Sequence, residues 1–308
     1  MKQTKRAIFK NGSTTYFYSS LFFPKDIWEK VATLYAYVRT ADDLVDAVPQ
    51  KTEEFAAFIR ETNAIIAAYA LAQKKTGSWK QGGRLYVQRA ISGEFTEIIQ
   101  SFVELLFAHA IPTAWVVSFL RSMTEDLTQP DNWIMYRSAA QTEAYIYGSA
   151  EVIGLMLCKL MQLPPEAYSA AKLQGAAMQH INFIRDMQED CELKRQYFSQ
   201  EVLSTFAIES LCEAVLSEEK YDSFRAFVSA EVAKFRAQQT QAEAGYSYIP
   251  YRYRVPIATA AQLYSWTADV IEKNPRVVFE RKVKPSKLQV FKTVAKVAVA
   301  ELFRRQHG

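Results

Sequence analysis

The chain has 308 residues, of which 49% are hydrophobic and 23% charged, enough to build a sizeable core and too apolar for global disorder. A net charge of +4 is too small to argue for nucleic acid, and no zinc-finger or RNA-binding signature is present. Ten glycines and ten prolines are spread over a sequence dominated by strong helix formers, so the predicted class is all-α.

The N-terminus, MKQTKRAIFKNGSTTYFYSS, begins basic but lacks the apolar stretch of a signal peptide. Hydrophobic periodicity predicts helices over roughly 26–47, 52–74, 94–110, 112–127, 133–161, 165–193, 209–244, 256–273 and 286–305. The clearest breaks are KTGSWKQGGR (Lys75 to Arg84) and AGYSYIPYRYRVP (Ala244 to Pro256). Asp131 is a predicted N-cap after a proline stop, and Pro165 suits a first helical turn, where its missing N–H costs nothing. No break reads as a domain linker and no repeat period appears, so residues 1–308 are predicted to form one domain, an antiparallel bundle of helices. The longest uncharged run, Leu105 to Leu120, contains His109 and Pro112 and is too short for a bilayer span. Cys158, Cys191 and Cys212 share no metal-ligand spacing and read as buried thiols of a reducing, cytoplasmic compartment.

Within the first of these helices, VRTADDLVD places Asp42 and Asp46 one turn apart on one face, with Asp43 beside them and Arg39 three residues before. Alone, this pattern is a solvated acidic face near a helix end. Far downstream, QHINFIRDMQED repeats it: Gln179, Asn182, Asp186 and Asp190 fall on one side of a helix, with Arg185 at the flank. Two such motifs are a far more demanding coincidence than one. Hard oxygen donors in pairs suit Mg²⁺, with Mn²⁺ as a substitute. His109, His180 and His307 have no ligand spacing, which argues against zinc or a di-iron bundle.

Together with TYFYSSLFFP, LYAYVRTADDLVD, YIYGSAEVIGLM and YIPYRYRVPIATAAQLYSWTADVI, in this order, the second motif resembles the squalene/phytoene synthase family of head-to-head prenyl transferases over nearly the full length. The resemblance implies the isoprenoid synthase fold, with a central active-site cavity, and prenyl diphosphate substrates. By the same resemblance, Mg²⁺ is held between Asp42/Asp46 and Asp186/Asp190, with Asn182 and Asp43 completing or orienting ligands. Arg39 and Arg185 offer forked donors to phosphate oxygens, and Gln179 a further polar contact. Tyr35, Tyr145 and Tyr264 are expected to line the pocket, and Arg276 to reach phosphate. The early phosphate-contact block here reads GSTTY, offering Ser13 and Thr14 without the usual basic neighbour, and the usual Gly-Arg-x-Tyr-x-Pro reads KRQYFS from Lys194. The small residues of YGSAEVIG suit either close helix packing or a tunnel wall for an isoprenoid tail.

Three readings follow. The first is condensation of two C20 geranylgeranyl diphosphates to phytoene through prephytoene diphosphate, without NADPH. The second is the C30 counterpart acting on farnesyl diphosphate, and the third a non-catalytic relative in protein assembly, which intact acids at both motifs disfavour. At the C-terminus, Leu288, Phe291, Val294, Ala298 and Leu302 share a helical face near several basic residues, including Arg281, Lys282, Lys284 and Lys287. That predicts peripheral, salt-sensitive membrane association on the inner face of the cell membrane.

Overall fold

The computed structural model describes residues 4–127, 133–213 and 217–306; within these, the side chains of Thr14, Gln81, Arg89, Ala90 and residues 304–306 lie outside the described set. Asp131 and His307 also lie outside it. Among the described residues the fold is helical apart from one two-residue strand pair. The first half runs α1 (Lys5–Gly12), α2 (Thr14–Ser20), α3 (Lys25–Val45), α4 (Thr52–Thr76), α5 (Trp79–Ala90), α6 (Thr96–Ala108) and α7 (Thr113–Glu125). Then come β1 (Ile134–Met135), α8 (Ala139–Ile146), a π-helical turn (Tyr147–Glu151) and α9 (Val152–Leu160). The rest comprises α10 (Tyr168–Arg185), α11 (Met187–Glu192), β2 (Arg195–Gln196), α12 (Gln200–Ser204), α13 (Glu218–Glu243), α14 (Tyr251–Lys273), α15 (Val277–Glu280) and α16 (Lys287–Gln306).

Two large apolar clusters organise the chain. In the first, Tyr37 of α3 stacks on Phe102 of α6 at 3.8 Å and lies 5.0 Å from Phe58 of α4. Each ring is fully buried and contributes about 1.5–3 kcal/mol by leaving water, which fixes α3 against its neighbours. In the second, Phe183 of α10 stacks on Tyr197 at 4.4 Å, and Phe198 meets Phe227 of α13 edge-on. The acidic residues of α3 belong to the first half and those of α10 and α11 to the second. Strands β1 and β2 pair in parallel, Ile134 opposite Arg195 and Met135 opposite Gln196, and so fix the segment that runs between the halves.

Several expectations need correction. KTGSWKQGGR is not mainly loop: α5 starts at Trp79, and a Cβ on Gly83 would sit 2.8 Å from the Tyr69 ring, so glycine there permits close packing on α4. The single helix predicted over 133–161 is broken by β1 and the π turn, and that over 165–193 breaks at Asp186. Helices α1 and α2 were not predicted at all. Cys191 and Cys212 form a disulfide, leaving Cys158 free and buried, so three thiols is wrong and the cysteine argument for a reducing compartment falls with it. Helix α4 has the length and apolarity of a membrane span, but Phe55, Phe58, Ile65 and Tyr69 bury its face in the core.

The two glycines of YGSAEVIG sit in close helix packing. A Cβ on Gly148 would lie 2.4 Å from the Ser118 carbonyl oxygen on α7, and one on Gly154 2.4 Å from that of Ala171 on α10. His180 is structural, its Nε2 lying 2.9 Å from Glu231 on α13.

Candidate active site

Helix α3 delivers Tyr35, Arg39, Asp42 and Asp43 and ends so that Asp46 is its C-cap. A carboxylate at this end faces the negative pole of the helix, at a cost of about 0.3–1 kcal/mol. The charge is answered by Arg195, a buried residue of β2, which donates to Asp46 at 2.6 Å and to the carbonyls of Val45 and Asp126 at 2.8 and 3.0 Å. Arg39 reaches Asp42 and Asp43 at 2.5 Å each. Despite that pair, burial and then the neighbouring Asp46 push the Asp42 carboxyl up to about 8.

The second motif has a different local structure from the straight helix expected. Asp186 closes α10 and opens α11, while its amide still donates to the Asn182 carbonyl and its own carbonyl accepts from the Asp190 amide. The turn spacing therefore survives the break. Arg185 grips Asp186 with two donors, Nε at 2.8 Å and an NH2 at 2.5 Å, and Lys282 lies 3.4 Å away while also pairing with Glu189. Burial alone would raise Asp186, but Arg185 and then Lys282 more than offset it and hold the carboxyl below its usual range. Among the described residues no ion pair holds Asp190; burial and then Asp186 push it far up, Asp126 and Asp46 add to this, and Arg195 offsets only part of it. The two motifs thus act on each other, with Arg195 beside both.

Beneath Arg195 lies a polar floor that the motifs did not reveal. Asp126, the buried C-cap of α7, accepts hydrogen bonds from Tyr145 and Tyr197 at 2.7 Å each, and burial raises it to about 6. Gln50 donates to the carbonyls of Val45 and Asp126. The Tyr145 hydroxyl is therefore committed to Asp126. Tyr264, buried on α14, lies 5.6 Å from Tyr16 between ring centroids and against the Arg185 guanidinium. Tyr35 stacks on Phe9 at 4.0 Å, and burial holds its hydroxyl protonated.

Other predicted contacts are placed as follows. Ser13 caps α2, its hydroxyl accepting from the Tyr16 amide at 3.2 Å; the Thr14 side chain lies outside the described residues. Gln179 is half-buried on α10. Arg276 pairs with Glu218 and lies 4.0 Å over the Tyr221 ring, so its partners are on α13 rather than among the acids. The basic side chain that the C-terminal segment brings to Asp186 is Lys282 instead. Arg195 and Tyr197 stood in KRQYFS and Tyr16 in TYFYSSLFFP without being assigned a role, while Asp126 and Gln50 carried no signal before the chain was folded.

The donor set fits a hard divalent cation. Carboxylates come from two separate elements, and the Asn182 Oδ1 is buried with no hydrogen-bond partner. Among the described residues no three acids converge as a complete ligand cage. Mg²⁺ does not need one: it takes one or two carboxylates and fills its octahedron with water and phosphate oxygens.

A family model described as squalene/phytoene synthase matches residues 9–289. The 15-cis-phytoene synthase of Synechococcus elongatus is 24% identical over 293 residues, covering 90% of this chain and 85% of the relative. Phytoene synthase 3, chloroplastic, from Zea mays is 31% identical over 170 residues, covering 53% of this chain and 39% of its own length. Among solved structures, a dehydrosqualene synthase in complex with ligand superposes with TM-score 0.75 at 20% identity, covering 96% of this chain and 94% of the other. A squalene synthase from Alicyclobacillus acidocaldarius gives TM-score 0.65 at 17% identity, over 87% and 92%.

Proposed function

The chain belongs to the squalene/phytoene synthase family of head-to-head prenyl transferases, and we propose that it condenses two geranylgeranyl diphosphates to phytoene through prephytoene diphosphate. The chemistry of this reading rests on the two acid motifs, with Arg195 of the second half paired to Asp46 of the first and the Asn182 oxygen buried and unpartnered, and its C20 substrate on the likeness to a 15-cis-phytoene synthase over 90% of this chain. Asp42, Asp46, Asp186, Asp190 and Asn182 would hold Mg²⁺, with Asp43 orienting. Bound there, the ion would supply positive charge to the diphosphate oxygens as the allylic C–O bond ionises.

The chain's own residues do the rest. Arg39, Arg185 and Lys282 stand among the acids as donors for phosphate oxygens, and at an effective dielectric near 20 each such contact at about 4 Å contributes roughly 4 kcal/mol. Tyr16, Tyr35 and Tyr264 are protonated or buried rings that exclude water and turn π faces toward a cationic carbon, worth about 2 kcal/mol when desolvated. Rearrangement to phytoene needs no hydride, so no NADPH is required.

The C30 reading is favoured by one observation, the superposition on a dehydrosqualene synthase over nearly the whole chain. Offering C15 and C20 diphosphates in parallel with Mg²⁺, and identifying the hydrocarbon by mass, separates the two. Phytoene from the C20 substrate with release of inorganic diphosphate is the expected result. Turnover of the C15 substrate alone would overturn it and leave the family intact.

A further inference from the structure

Helix α16 begins at Lys287, close to residue 289, where the family match ends. Its sequence carries two apolar stripes, and only one is used by the fold. Val290, Val294 and Val297 are buried, and Glu301, on the same side, is held by Arg254 of α14 at 2.7 Å. The second stripe is Leu288, Phe291, Ala295, Val299 and Leu302, spaced by three and four residues. It faces outward: Leu288 is 65% exposed, Phe291 48%, Val299 54% and Leu302 48%. The face expected from sequence mixed the two, since Val294 is buried while Leu288, Phe291 and Leu302 are not. Single exposed leucines are ordinary, but a stripe along a whole helix is not.

The stripe continues onto the end of α2. Leu21 and Phe22 are exposed there, and the Phe291 ring lies 6.4 Å from Phe22 and 6.3 Å from Tyr18. Beside it runs an apolar groove of about 610 Å³, lined by Phe22, Tyr251, Val255, Phe291 and Ala298. Lys287, Lys292 and Lys296 are exposed and flank the stripe, whereas the one acid of α16, Glu301, is buried. Asp26, exposed, lines the adjoining cleft, which shares Pro24, Tyr251 and Arg252 with this groove. A second copy pairing along this stripe would set lysine against lysine, with no exposed acid on α16 itself to answer them. An anionic bilayer answers both features at once, burying the apolar residues among acyl chains and meeting the lysines with headgroups. The interior is one helix away: on α2, Tyr18 touches Phe291 at the surface and Tyr16 faces Tyr264 at the acids.

We propose that the outer face of α16, with the end of α2, is a docking surface for an anionic lipid bilayer, α16 lying in the interfacial plane. The proposal rests on this surface and holds for either length of prenyl substrate. The test is flotation of the full chain with vesicles of phosphatidylcholine alone or mixed equally with phosphatidylglycerol, at low and high salt. The expected result is recruitment by the anionic vesicles at low salt, weakened at high salt and absent with phosphatidylcholine. Leu288→Gln with Leu302→Gln, both at exposed positions, should weaken recruitment by about tenfold or more. Lys292→Gln with Lys296→Gln should do the same, since each lysine near an anionic surface is worth about fivefold. Circular dichroism, melting and turnover of detergent-dispersed substrate should stay at wild-type values in both variants. No flotation at low salt, equal flotation with neutral vesicles, or unchanged flotation of either variant would overturn the proposal. So would a stable dimer that the leucine variant splits and vesicles do not bind, which would give the stripe to a second copy.

Discussion

The two acid motifs have the same spacing and an adjacent arginine, yet they differ in charge. On α3, Arg39 divides itself between Asp42 and Asp43, and Asp42 is still pushed up to about 8. At the α10–α11 junction, Arg185 gives both donors to Asp186 and Lys282 joins it, so the Asp186 carboxyl is held below its usual range while burial and Asp186 push Asp190, one turn on, far up. The lesson is that a D-x-x-x-D spacing fixes geometry along a helix, whereas the proton count is set by counter-charges arriving from elsewhere in the chain.

The largest effects should come from the acids themselves. Asp42→Asn, Asp46→Asn, Asp186→Asn and Asp190→Asn should each lower turnover of the prenyl diphosphate by at least about 10²–10³, the scale of losing one preorganised stabiliser of developing charge. Stability should then divide the motifs. Metal-free melting is expected to hold or rise for Asp42→Asn and Asp190→Asn, which remove carboxylates that resist ionisation. It should fall for Asp186→Asn, which strips the half-hidden Arg185 of its bidentate partner. Equal shifts in all four would erase the contrast.

Arg195 is the residue beside both motifs, and Arg195→Gln should lower unfolding free energy in denaturant by about 1.5–3 kcal/mol, the scale of losing charged hydrogen bonds to Asp46 and to the Val45 and Asp126 carbonyls. The disulfide tests the same asymmetry. Cys191–Cys212, separated by 21 residues, pins α11 beneath Asp190, and nothing comparable is seen at α3 among the described residues. Reduction should cost about 3 kcal/mol, and hydrogen exchange should quicken in α11 while α3 stays protected.

The titration of the first motif has a definite sign. Asp42 at about 8 and Asp126 at about 6 bind protons in the folded chain that an unfolded carboxyl, near 4, has released. The folded state holds more protons between about pH 4 and 8, so metal-free stability should fall as pH rises through that window. Asp42→Asn should flatten the upper part of the slope and Asp126→Asn the lower, and added Mg²⁺ with diphosphate should flatten the whole by competing with the protons. Melting curves across the window check this. The smallest effect concerns the residue before Arg195: Lys194 has φ +57°, left-handed, where a side chain costs roughly 1 kcal/mol. Lys194→Gly should therefore raise stability by about 0.5–1 kcal/mol without moving the turn that aims Arg195.

That position shows what was legible and what was not. Where the usual Gly-Arg-x-Tyr-x-Pro has glycine this chain has Lys194, and the structure places it at a left-handed φ and bears the strain there. The long amphipathic helices α3, α4, α6, α7 and α14 were readable because a buried face repeats every 3.6 residues whatever it packs against. Helix α5 was not, because its glycines look like turn residues until Tyr69 is seen pressing on Gly83. The stripe on α16 was readable as apolar but not as buried or exposed, since periodicity names a face without naming its partner.

By itself the sequence determined the class of fold, the two acid motifs and the oxygen chemistry they imply, all of which depend on neighbours three or four residues apart. Only the tertiary structure brought Arg195 to Asp46 across 149 positions, set Asp126 beneath two tyrosine hydroxyls and gave Lys282 rather than Arg276 to Asp186. The physical reason is the range of the interactions. Helix propensity and side-chain spacing are local, whereas burial and Coulomb energy depend on which distant charges the packed cores bring within a few ångströms.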